Sequence, residues 1–514
     1  MRTPVTLCSR HQLARGLAFA LGLLLVTADS PRATGTPLDE PFVGGVGFAG
    51  PTTGDLTSVY WNPAALSLLT GTELHLSGMV RSTRTTVQRA PIDPTSGRPG
   101  PGVSFPEALG NETTWPKPWS PGPGGFLGIG ANVLGRFTLA VAAYWPSFEH
   151  VRYSPGADGN PPTRYHGIEL DLRNFALVPA LAVRMGKHLH VGLAPGFLFP
   201  AGRFTFDEDT AINQGSPGIT ASCGGLPCGF ENPAATTRYE INAGQSPFAT
   251  SPAFTLGAGL HYLRGPLSIG VGYASRALGN DGDGVRLDVE RGRITRGSGA
   301  TASSPCPPVD TAPCIDGELS YRLPDAYMLG VTWKEHERWS FTGIARYQTF
   351  SAHDRLVLTL AGPAGSGFGD AGVRSRIVLD RGFRDRIDLR VRGMRRFGPW
   401  GRVGMGVRVA TSAVPRDHIT PIAVDGLTFE PHAMAELRIG RVLLRAGYAL
   451  AIVPTQDVSS SAFAPGDAVS CVDSGYDLAT AACTAYRGGR ARPTAAGRYR
   501  LSRHSLSLSL LARF

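Results

Sequence analysis

Six of the seven cysteines form three pairs that are close in sequence, a pattern that suits either disulfides or a metal site. They are Cys223 with Cys228, Cys306 with Cys314, and Cys471 with Cys483, each in a stretch rich in Gly, Pro and Ser. No histidine stands near a pair, and none has the Cys-x-x-Cys spacing common in zinc sites. In a chain with a secretory signal, local pairs favour disulfide-closed loops. We therefore predict three disulfides, paired by proximity, no metal and no other cofactor.

Arginines recur on the polar side of alternating segments in the C-terminal part of the chain. They are Arg390, Arg392, Arg402, Arg408 and Arg445. In an interior of low dielectric constant, a guanidinium group binds a carboxylate strongly. Two interpretations stay open, because these arginines suit either the carboxylate of an amphipathic ligand or structural pairing with interior acidic side chains.

The remaining polar residues give no sign of catalysis or of nucleic-acid binding. The 12 histidines are scattered and none joins a recognisable nucleophile arrangement. The net charge is +10, but the basic residues are spread along the chain without a run of like charge. We predict that the protein is not an enzyme and does not bind nucleic acid.

Alternation of apolar and polar residues is the dominant pattern from Glu73 onward. In the last ten residues, Leu506, Leu508 and Leu510 alternate with serines, and the chain ends at Phe514. Such a segment can face lipid on one side and a polar lumen on the other. Since 66 Gly and 41 Pro disfavour long helices, the pattern indicates strands with outer-membrane lipid as their partner.

About fourteen alternating segments follow one another. They start near Glu73, Gly125, Phe137, Ile168, His188, Phe254, Leu267, Tyr321, Trp339, Gly382, Trp400, Leu427, Val442 and Tyr499. A soluble β-sandwich also alternates, but its strands average about 5 to 6 residues, and several segments here are well over ten. The predicted fold is all-β, a transmembrane antiparallel β-barrel of about fourteen strands, which closes because unpaired edges are not tolerated in hydrocarbon.

Long and short connections alternate between these segments. The long ones are residues 89–124, 206–252, 291–317 and 453–498, and the short ones include Gly186-Lys187 and Gly398-Pro399. Outer-membrane barrels have long extracellular loops and short periplasmic turns. The three cysteine pairs all fall in predicted extracellular loops.

The first residues have the features of a secretory signal. Arg2, Arg10 and Arg15 precede the apolar run Gly16–Val26, which is too short to span a membrane. We predict a cleaved signal peptide over residues 1–28, which removes Cys8. The mature chain then divides into an N-terminal segment, residues 29–72, and a barrel, residues 73–514.

The N-terminal segment does not alternate like a strand. It holds the glycine-rich stretch Phe42–Gly50 and, further on, Trp61-Asn62-Pro63-Ala64. Here the chain resembles the FadL-type long-chain fatty-acid transporters, in which a glycine-rich N-terminal hatch carrying Asn-Pro-Ala occupies the barrel lumen. The resemblance continues through Leu323–Tyr327, Gly382–Asp385 and Leu444–Tyr448, and the terminal Phe514 fits the signal for the barrel-assembly machinery.

The resemblance implies a passive transporter in the outer membrane of a Gram-negative bacterium. Its partner would be a hydrophobic small molecule, a long-chain fatty acid by default, and Asn62, Pro63 and Ala64 would gate passage as part of residues 29–72. A rigid turn at Asn62-Pro63 also explains the motif without transport. A structural or secretion-docking barrel is the alternative function.

Proline interrupts the alternation in the segment that begins at Phe137. Pro146 lacks the N–H that a strand ladder requires, so it belongs at a bulge or an edge. The resemblance implies a kink in the third barrel strand that opens a lateral exit into the membrane. Equally open is a strand that ends at Trp145, with an aromatic ring at the lipid interface.

Overall fold

The computed structural model describes most of the chain beyond the N-terminal 42 residues. The described ranges are 43–89, 112–114, 125–153, 163–209, 222–223, 226–227, 236–244, 252–277, 284–296, 316–335, 338–361, 376–459, 461–462 and 495–514. The predicted signal peptide lies outside them.

The three predicted disulfides also fall outside the described part of the chain. The backbone of Cys223 belongs to a described two-residue strand, but nothing is described of its side chain. The other five cysteines lie outside the described ranges, namely Cys228, Cys306, Cys314, Cys471 and Cys483. The pairings of Cys223 with Cys228, of Cys306 with Cys314 and of Cys471 with Cys483 therefore stay predictions.

The described residues fold almost entirely into strands. In chain order these are β1 (Thr72–Arg89), β2 (Glu112–Thr114), β3 (Gly125–Val133), β4 (Phe137–Arg152), β5 (Glu169–Met185), β6 (Leu189–Asp209), β7 (Ser222–Cys223), β8 (Leu226–Pro227), β9 (Thr236–Ala243), β10 (Ala253–Arg264), β11 (Leu267–Ala274), β12 (Val285–Arg296), β13 (Asp316–Tyr321), β14 (Ala326–Glu335), β15 (Trp339–Gln348), β16 (Arg355–Ala361), β17 (Arg376–Asp380), β18 (Arg386–Phe397), β19 (Gly401–Ala410), β20 (Thr428–Ile439), β21 (Val442–Val458) and β22 (Gly497–Arg513). The helical elements are a single-turn helix α1 (Ser58–Trp61) and 3-10 helices at Pro63–Leu68, Phe350–His353 and Arg416–His418. No helix within the described ranges has the length and apolar character needed to cross a membrane.

Fourteen of the described strands close into an antiparallel barrel. Their order is β1, β3, β4, β5, β6, β10, β11, β14, β15, β18, β19, β20, β21 and β22. β22 pairs back with β1 over the register Glu73↔Arg513 to Arg89↔Gly497, which closes the circle. The predicted fold class is confirmed, with strand starts shifted by a few residues. The largest shifts are at Tyr321 and Gly382, where the barrel strands begin at Ala326 and Arg386.

The alternation in sequence becomes the inside and outside of this barrel. In β22, Leu506 and Leu508 are 48% and 59% exposed, whereas Ser505 and Ser507 are each 2% exposed. The apolar face therefore points outward, where lipid lies, and the serines point into the lumen. Phe514 pairs with Thr72 at the barrel end that carries the short turns.

Those short turns depend on glycine. The turns contain Gly186, Gly265, Gly398 and Gly440. All four have positive φ angles, which range from 56° at Gly265 to 84° at Gly186. A tight hairpin requires this left-handed backbone, which glycine adopts without a steric penalty. By the asymmetry of outer-membrane barrels, the end with short turns is periplasmic and the opposite end extracellular.

On the extracellular side the sheet continues beyond the barrel. β9, β12, β13, β16 and β17 follow one another outward from the upper part of β6. They continue the upper parts of three barrel strands, namely β4 after Tyr144, β5 before Phe175 and β6 after Phe199. We call this combined set of strands the extracellular sheet. Sequence analysis missed these five strands; it placed β9 and the end of β12 in long loops and counted no strand at β16 or β17.

Candidate transport pathway

The predicted hatch, residues 29–72, is described from residue 43, and residues 43–71, which precede β1, lie inside the barrel lumen. Most of them are buried, including Val43, Leu56, Trp61 and Leu66. α1 and the following 3-10 helix form its lower half, and Asn62 between them is extended, with φ −170° and ψ 96°. Proline at the next position starts the 3-10 helix, because its fixed φ suits a first helical residue.

Asn62 links the hatch to itself and to the barrel. Its side-chain oxygen accepts a hydrogen bond from the Ala64 N–H at 3.2 Å, which caps the 3-10 helix. Its amide nitrogen donates to the Pro51 carbonyl at 2.8 Å and to the Leu260 carbonyl of β10 at 3.0 Å. Each polar atom of this buried side chain therefore has a partner.

Glycines on the barrel wall make room for this contact. A Cβ atom at Gly272 would lie 2.0 Å from the Trp61 carbonyl oxygen, and one at Gly259 would lie 1.9 Å from the Asn62 side-chain oxygen. A Cβ at Gly192 would lie 2.3 Å from the backbone of Pro63. The hatch backbone thus rests directly on the barrel backbone, an approach that only glycine permits.

The periplasmic end of the hatch is held by polar contacts. Ser67 Oγ lies 2.7 Å from His190 Nδ1 of β6, and Arg184 donates to the Ser67 carbonyl at 3.0 Å. His190 faces His261 of β10, with ring centroids 5.6 Å apart. These contacts fix the end of the 3-10 helix beside the short turns.

Asp55 is the one charged residue in the sequence between positions 43 and 71. It is 1% exposed and lies 2.7 Å from Arg445 of β21, which also binds Glu436 of β20 at 2.9 Å. Burial alone would raise the pKa of Asp55, but Arg445 holds it below the usual value, so the carboxylate is ionised. A buried ion pair therefore anchors the hatch.

The other predicted arginines also bind groups of the protein. Arg402 pairs with Glu436 at 2.6 Å. Arg390 and Arg408 both reach Asp388, at 3.1 and 2.8 Å.

Arg392 binds the hatch rather than an acid. It donates to the backbone carbonyls of Gly47 and Ala49, the latter at 3.3 Å. Four of the five arginines therefore pair with acidic side chains and Arg392 with hatch carbonyls, while contact with a ligand carboxylate stays a prediction.

The lumen has two unlike walls. The wall from β15 through β22 carries the ion pairs, and Arg390 and Arg445 also stack on Trp61 and Phe48 of the hatch at 5.2 and 5.1 Å. The wall from β3 to β11 is lined mainly by glycine, alanine and aromatic residues. Phe126 and Tyr144 on it are each buried. Charge and apolar surface are therefore separated across the lumen.

The apolar side continues upward as one cluster of buried side chains. It includes Trp61 and Tyr60 of the hatch, Tyr144 of β4, Phe204 of β6 and Leu358 of β16. The rings of Tyr60 and Tyr144 meet edge to face at 5.9 Å. Apolar packing is therefore continuous from the extracellular sheet to the hatch.

Pro146 lies in a β-bulge of β4 beside this cluster. The β4–β5 register passes from Tyr144↔Ala176 to Ser147↔Asn174, so β4 holds one extra residue there. β4 continues to Arg152 and does not end at Trp145. Among the described residues, β3 pairs with β4 only as far as Tyr144, and the part of β4 beyond it pairs with β5 alone.

Comparison with known proteins decides the family. The model of the outer membrane protein transport protein family (OMPP1/FadL/TodX) matches residues 24–393, which is more than half of the chain. The chain belongs to this family. A search of curated protein sequences finds no match.

Solved structures of the FadL/TodX type share the fold. A Pseudomonas aeruginosa FadL homologue aligns with TM-score 0.64 and 14% identity over 94% of this chain and 99% of the other. The Pseudomonas putida toluene transporter TodX gives 0.59 and 13% over 95% and 100%. The Ralstonia pickettii toluene transporter TbuX gives 0.55 and 12% over 93% and 98%.

Membership confirms the predicted resemblance and the location in the outer membrane. The family consists of transport proteins, which agrees with the prediction that this chain is not an enzyme. Sequence analysis singled out Asn62, Pro63 and Ala64 but missed Asp55. The sequence did contain a sign of the role of Asp55, because it is a lone acidic residue in an otherwise uncharged segment and such a residue needs a partner when it is buried.

Proposed function

We propose that this FadL/TodX-type protein is a passive transporter for hydrophobic small molecules. The observation that carries the proposal is the continuous cluster of buried apolar side chains between the extracellular sheet and the hatch. Transfer along such a surface keeps an apolar ligand out of water, which is favourable by about 25 cal/mol per Å². The names of the structural relatives, toluene transporters among them, point the same way.

The hatch is the proposed gate. Residues 43–71 pack against several barrel strands, so a ligand passes only if some of these contacts break. Asn62 bonds to Pro51 of the hatch and to Leu260 of the barrel wall, and Pro63 starts the next helix. This motif therefore lies where the hatch meets the wall. A ligand that binds better to the displaced hatch would shift the population toward it.

The exit is proposed at the bulge of β4. The β3–β4 ladder stops at Tyr144 in the described part of the chain, next to the bulge and beside the apolar side of the lumen. A wall with an incomplete ladder gives the least hindered route into the surrounding lipid. Pro146 holds the bulge, since it donates no ladder hydrogen bond.

The ligand class is to be decided between long-chain fatty acids and neutral hydrocarbons. The five arginines of the charged wall all have partners within the protein, and a fatty-acid carboxylate would have to displace one of them. Four bind carboxylates, which compete directly with that of a ligand. We therefore expect neutral ligands to be transported at least as well as fatty acids.

The test is uptake by cells that lack their own transporter and express this protein. Labelled oleate and labelled toluene are supplied separately, and the double variant that combines Asn62→Ala with Pro63→Ala is compared with Gly343→Ala. Gly343 serves as the control because an added Cβ there meets nothing within 4 Å. Saturable uptake of either ligand, altered in the double variant alone, supports a gated carrier.

Failure of both ligands to enter through a correctly assembled barrel would contradict transport of these compounds. The structural or secretion-docking role would then be the favoured function. Uptake of toluene without oleate would exclude the fatty-acid assignment and keep the transporter.

A further inference from the structure

The short turns at the periplasmic end form a strongly basic rim. Every turn between described barrel strands at this end carries or adjoins at least one exposed basic side chain. These residues are Arg136, Lys187, Arg264, Lys334, Arg338, Arg395, Arg396, Arg438 and Arg441. Arg402 and Arg513, which are less exposed, bind Glu436 and Glu73, whereas the fully exposed ones form no ion pair within the described part of the chain. The rim therefore carries positive charge that is not bound in ion pairs.

Aromatic rings place one part of this rim at the membrane surface. Trp339, Phe397 and Trp400 are 42%, 39% and 59% exposed. Trp339 begins β15 and Phe397 ends β18, and both continue lipid-facing rows that include the exposed Phe341 and Val391. Aromatic side chains gather where hydrocarbon meets headgroups. These rings therefore lie at the headgroup level of the periplasmic leaflet.

Arg395 faces lipid between two of these rings. It belongs to the outward row of β18, which also contains the exposed Ile387 and Leu389. Its guanidinium carbon lies 5.3 Å from the centre of the Trp339 ring and 5.1 Å from that of Phe397. A charge on the lipid face of a barrel costs little near the interface, and aromatic rings attract a cation. Arg395 is therefore held at headgroup level, with no carboxylate bound to it among the described residues.

Two more arginines stand beside it, around Trp400. The Arg396 Nε donates to the Gly398 carbonyl at 3.1 Å, and the backbone N–H of Arg438 donates to the Trp400 carbonyl at 2.7 Å. The sequence contains no acidic residue in positions 395–402 or 437–441. Three cationic side chains and three rings thus meet without a competing carboxylate. We call them the basic–aromatic patch, formed by Trp339, Arg395, Arg396, Phe397, Trp400 and Arg438.

We propose that the basic–aromatic patch binds the phosphate of an anionic phospholipid in the periplasmic leaflet. The planar guanidinium group donates two parallel hydrogen bonds to phosphate oxygens. A lipid fits better than a soluble acidic protein, because Arg395 and two of the rings lie on the face that also carries the lipid-exposed aliphatic residues. Bound lipid would hold this side of the barrel at a fixed height in the membrane.

The charge of the patch favours an anionic headgroup over a zwitterionic one. The phosphate of a zwitterionic lipid comes with an ammonium group, which three arginines repel. Glu335 stands opposite Trp339 in the β14–β15 register and could accept one ammonium group, but it is a single acid beside three cations. Each basic side chain near an anionic surface favours binding by roughly fivefold. Phosphatidylglycerol should therefore bind more tightly than phosphatidylcholine or phosphatidylethanolamine.

The experiment measures lipid binding to the purified full-length barrel in bilayers. Brominated phosphatidylglycerol replaces part of the phosphatidylcholine, and quenching of tryptophan fluorescence gives the relative binding constant of the two lipids. Trp339 and Trp400 report on the patch, because bromine quenches only rings that it approaches closely. We expect a preference for phosphatidylglycerol of roughly tenfold or more. Equal binding of brominated phosphatidylglycerol and phosphatidylethanolamine would overturn the proposal.

A charge-matched pair of triple variants locates the site. The first combines Arg395→Gln, Arg396→Gln and Arg438→Gln, and its preference should fall to roughly equal binding. The control removes the same number of charges from turns without tryptophan, by Arg136→Gln, Lys187→Gln and Arg264→Gln. It should keep the wild-type preference within roughly twofold. Equal losses in both would mean that only the overall charge of the rim attracts lipid, and the patch would not be a site.

Free phosphate separates a lipid site from a phosphate site. Millimolar sodium phosphate, compared with sodium chloride at the same ionic strength, should leave quenching by phosphatidylglycerol unchanged, because the rings hold the lipid as well as its phosphate. Displacement of the lipid by free phosphate would overturn the lipid assignment. Heat-modifiable migration in gels shows that each exposed-site variant has folded. No transported ligand is present, so the result is independent of the proposed transport.

Discussion

At the scale of single residues, Asp55 carries the main charge contact between hatch and barrel. It bonds to Arg445 and also accepts hydrogen bonds from the Thr57 N–H at 3.0 Å and the Thr57 hydroxyl. Removing one partner of a buried ion pair costs about 3 to 5 kcal/mol, since the other charge is left unpaired. The hatch therefore depends on one carboxylate far more than its apolar sequence suggests.

Asp55→Asn should loosen the hatch without unfolding the barrel. The amide keeps the shape and a hydrogen-bond acceptor for Thr57 but loses the attraction to Arg445. We expect larger and noisier ionic conductance in planar bilayers. Asp457→Asn, which breaks an exposed pair with Arg498, should change little. Equal conductance in the two variants would show that the Asp55 contact does not hold the hatch.

The same pair predicts how the hatch responds to acid. The folded-state pKa of Asp55 is depressed. The stabilisation of the hatch by the ion pair is therefore fully present above the ordinary aspartate pKa of about 3.9, and it is lost only as pH falls through the lower folded-state pKa. Conductance at pH 5 should therefore equal that at pH 7. A hatch that opens between these values would contradict an Asp55–Arg445 anchor.

Gly272 gives a steric test of the hatch position. Alanine there would place a Cβ 2.0 Å from the Trp61 carbonyl oxygen, a backbone atom that cannot rotate away. We expect Gly272→Ala to displace the hatch and raise entry of a small hydrophilic antibiotic, measured as increased sensitivity. Gly343→Ala should behave as wild type, and equal sensitivity of both variants would mean that the hatch does not rest on β11.

At the scale of elements, the bulge in β4 does two things at once. It interrupts the ladder where the lateral exit is proposed, and it turns Glu149 toward Arg381 and Tyr153 toward Pro421. A single extra residue near Pro146 therefore shapes both the membrane wall and the extracellular sheet.

Deleting Pro146 should separate the bulge from the proline itself. The deletion removes the extra residue, so Glu149 turns outward and loses Arg381, whereas Pro146→Ala keeps the residue count. We expect uptake to be abolished in the deletion and to fall at most severalfold in Pro146→Ala, provided that heat-modifiable migration in gels shows both barrels folded. Full uptake in the deletion would overturn the role of the bulge.

At the scale of the whole molecule, the extracellular sheet stands above a plugged barrel. Fourteen strands enclose a wider lumen than eight strands do. Side chains alone can fill an eight-stranded barrel but not this wider one. The hatch supplies the missing filling, with polar contacts to the charged wall and close backbone contact to the glycine wall.

A chain lacking residues 43–70 should therefore form an open, water-filled pore. We expect a steady conductance well above that of the wild type, because the barrel ladder from β1 to β22 contains no hatch residue. The same steady conductance in the wild type would show that the hatch does not block the lumen. Heat-modifiable migration confirms that the shortened chain has assembled.

The sequence alone determined the barrel, because period-two alternation fixes which residues of each strand face lipid. It also indicated the family, through Trp61-Asn62-Pro63-Ala64 and the glycines before it. It left the roles of Arg402 and Arg445 open, since ion pairing depends on which acid stands opposite across strands far apart in the chain.

Only the tertiary structure decided which charged residues pair with each other. Asp55 and Arg445 are 390 residues apart, and Glu149 and Arg381 are 232 apart. β9 is a strand because β6 offers it an edge, and β12, β13, β16 and β17 each pair with the strand before them in that sheet. Local patterns set the face that each residue presents, and long-range closure of the sheets sets what that face meets.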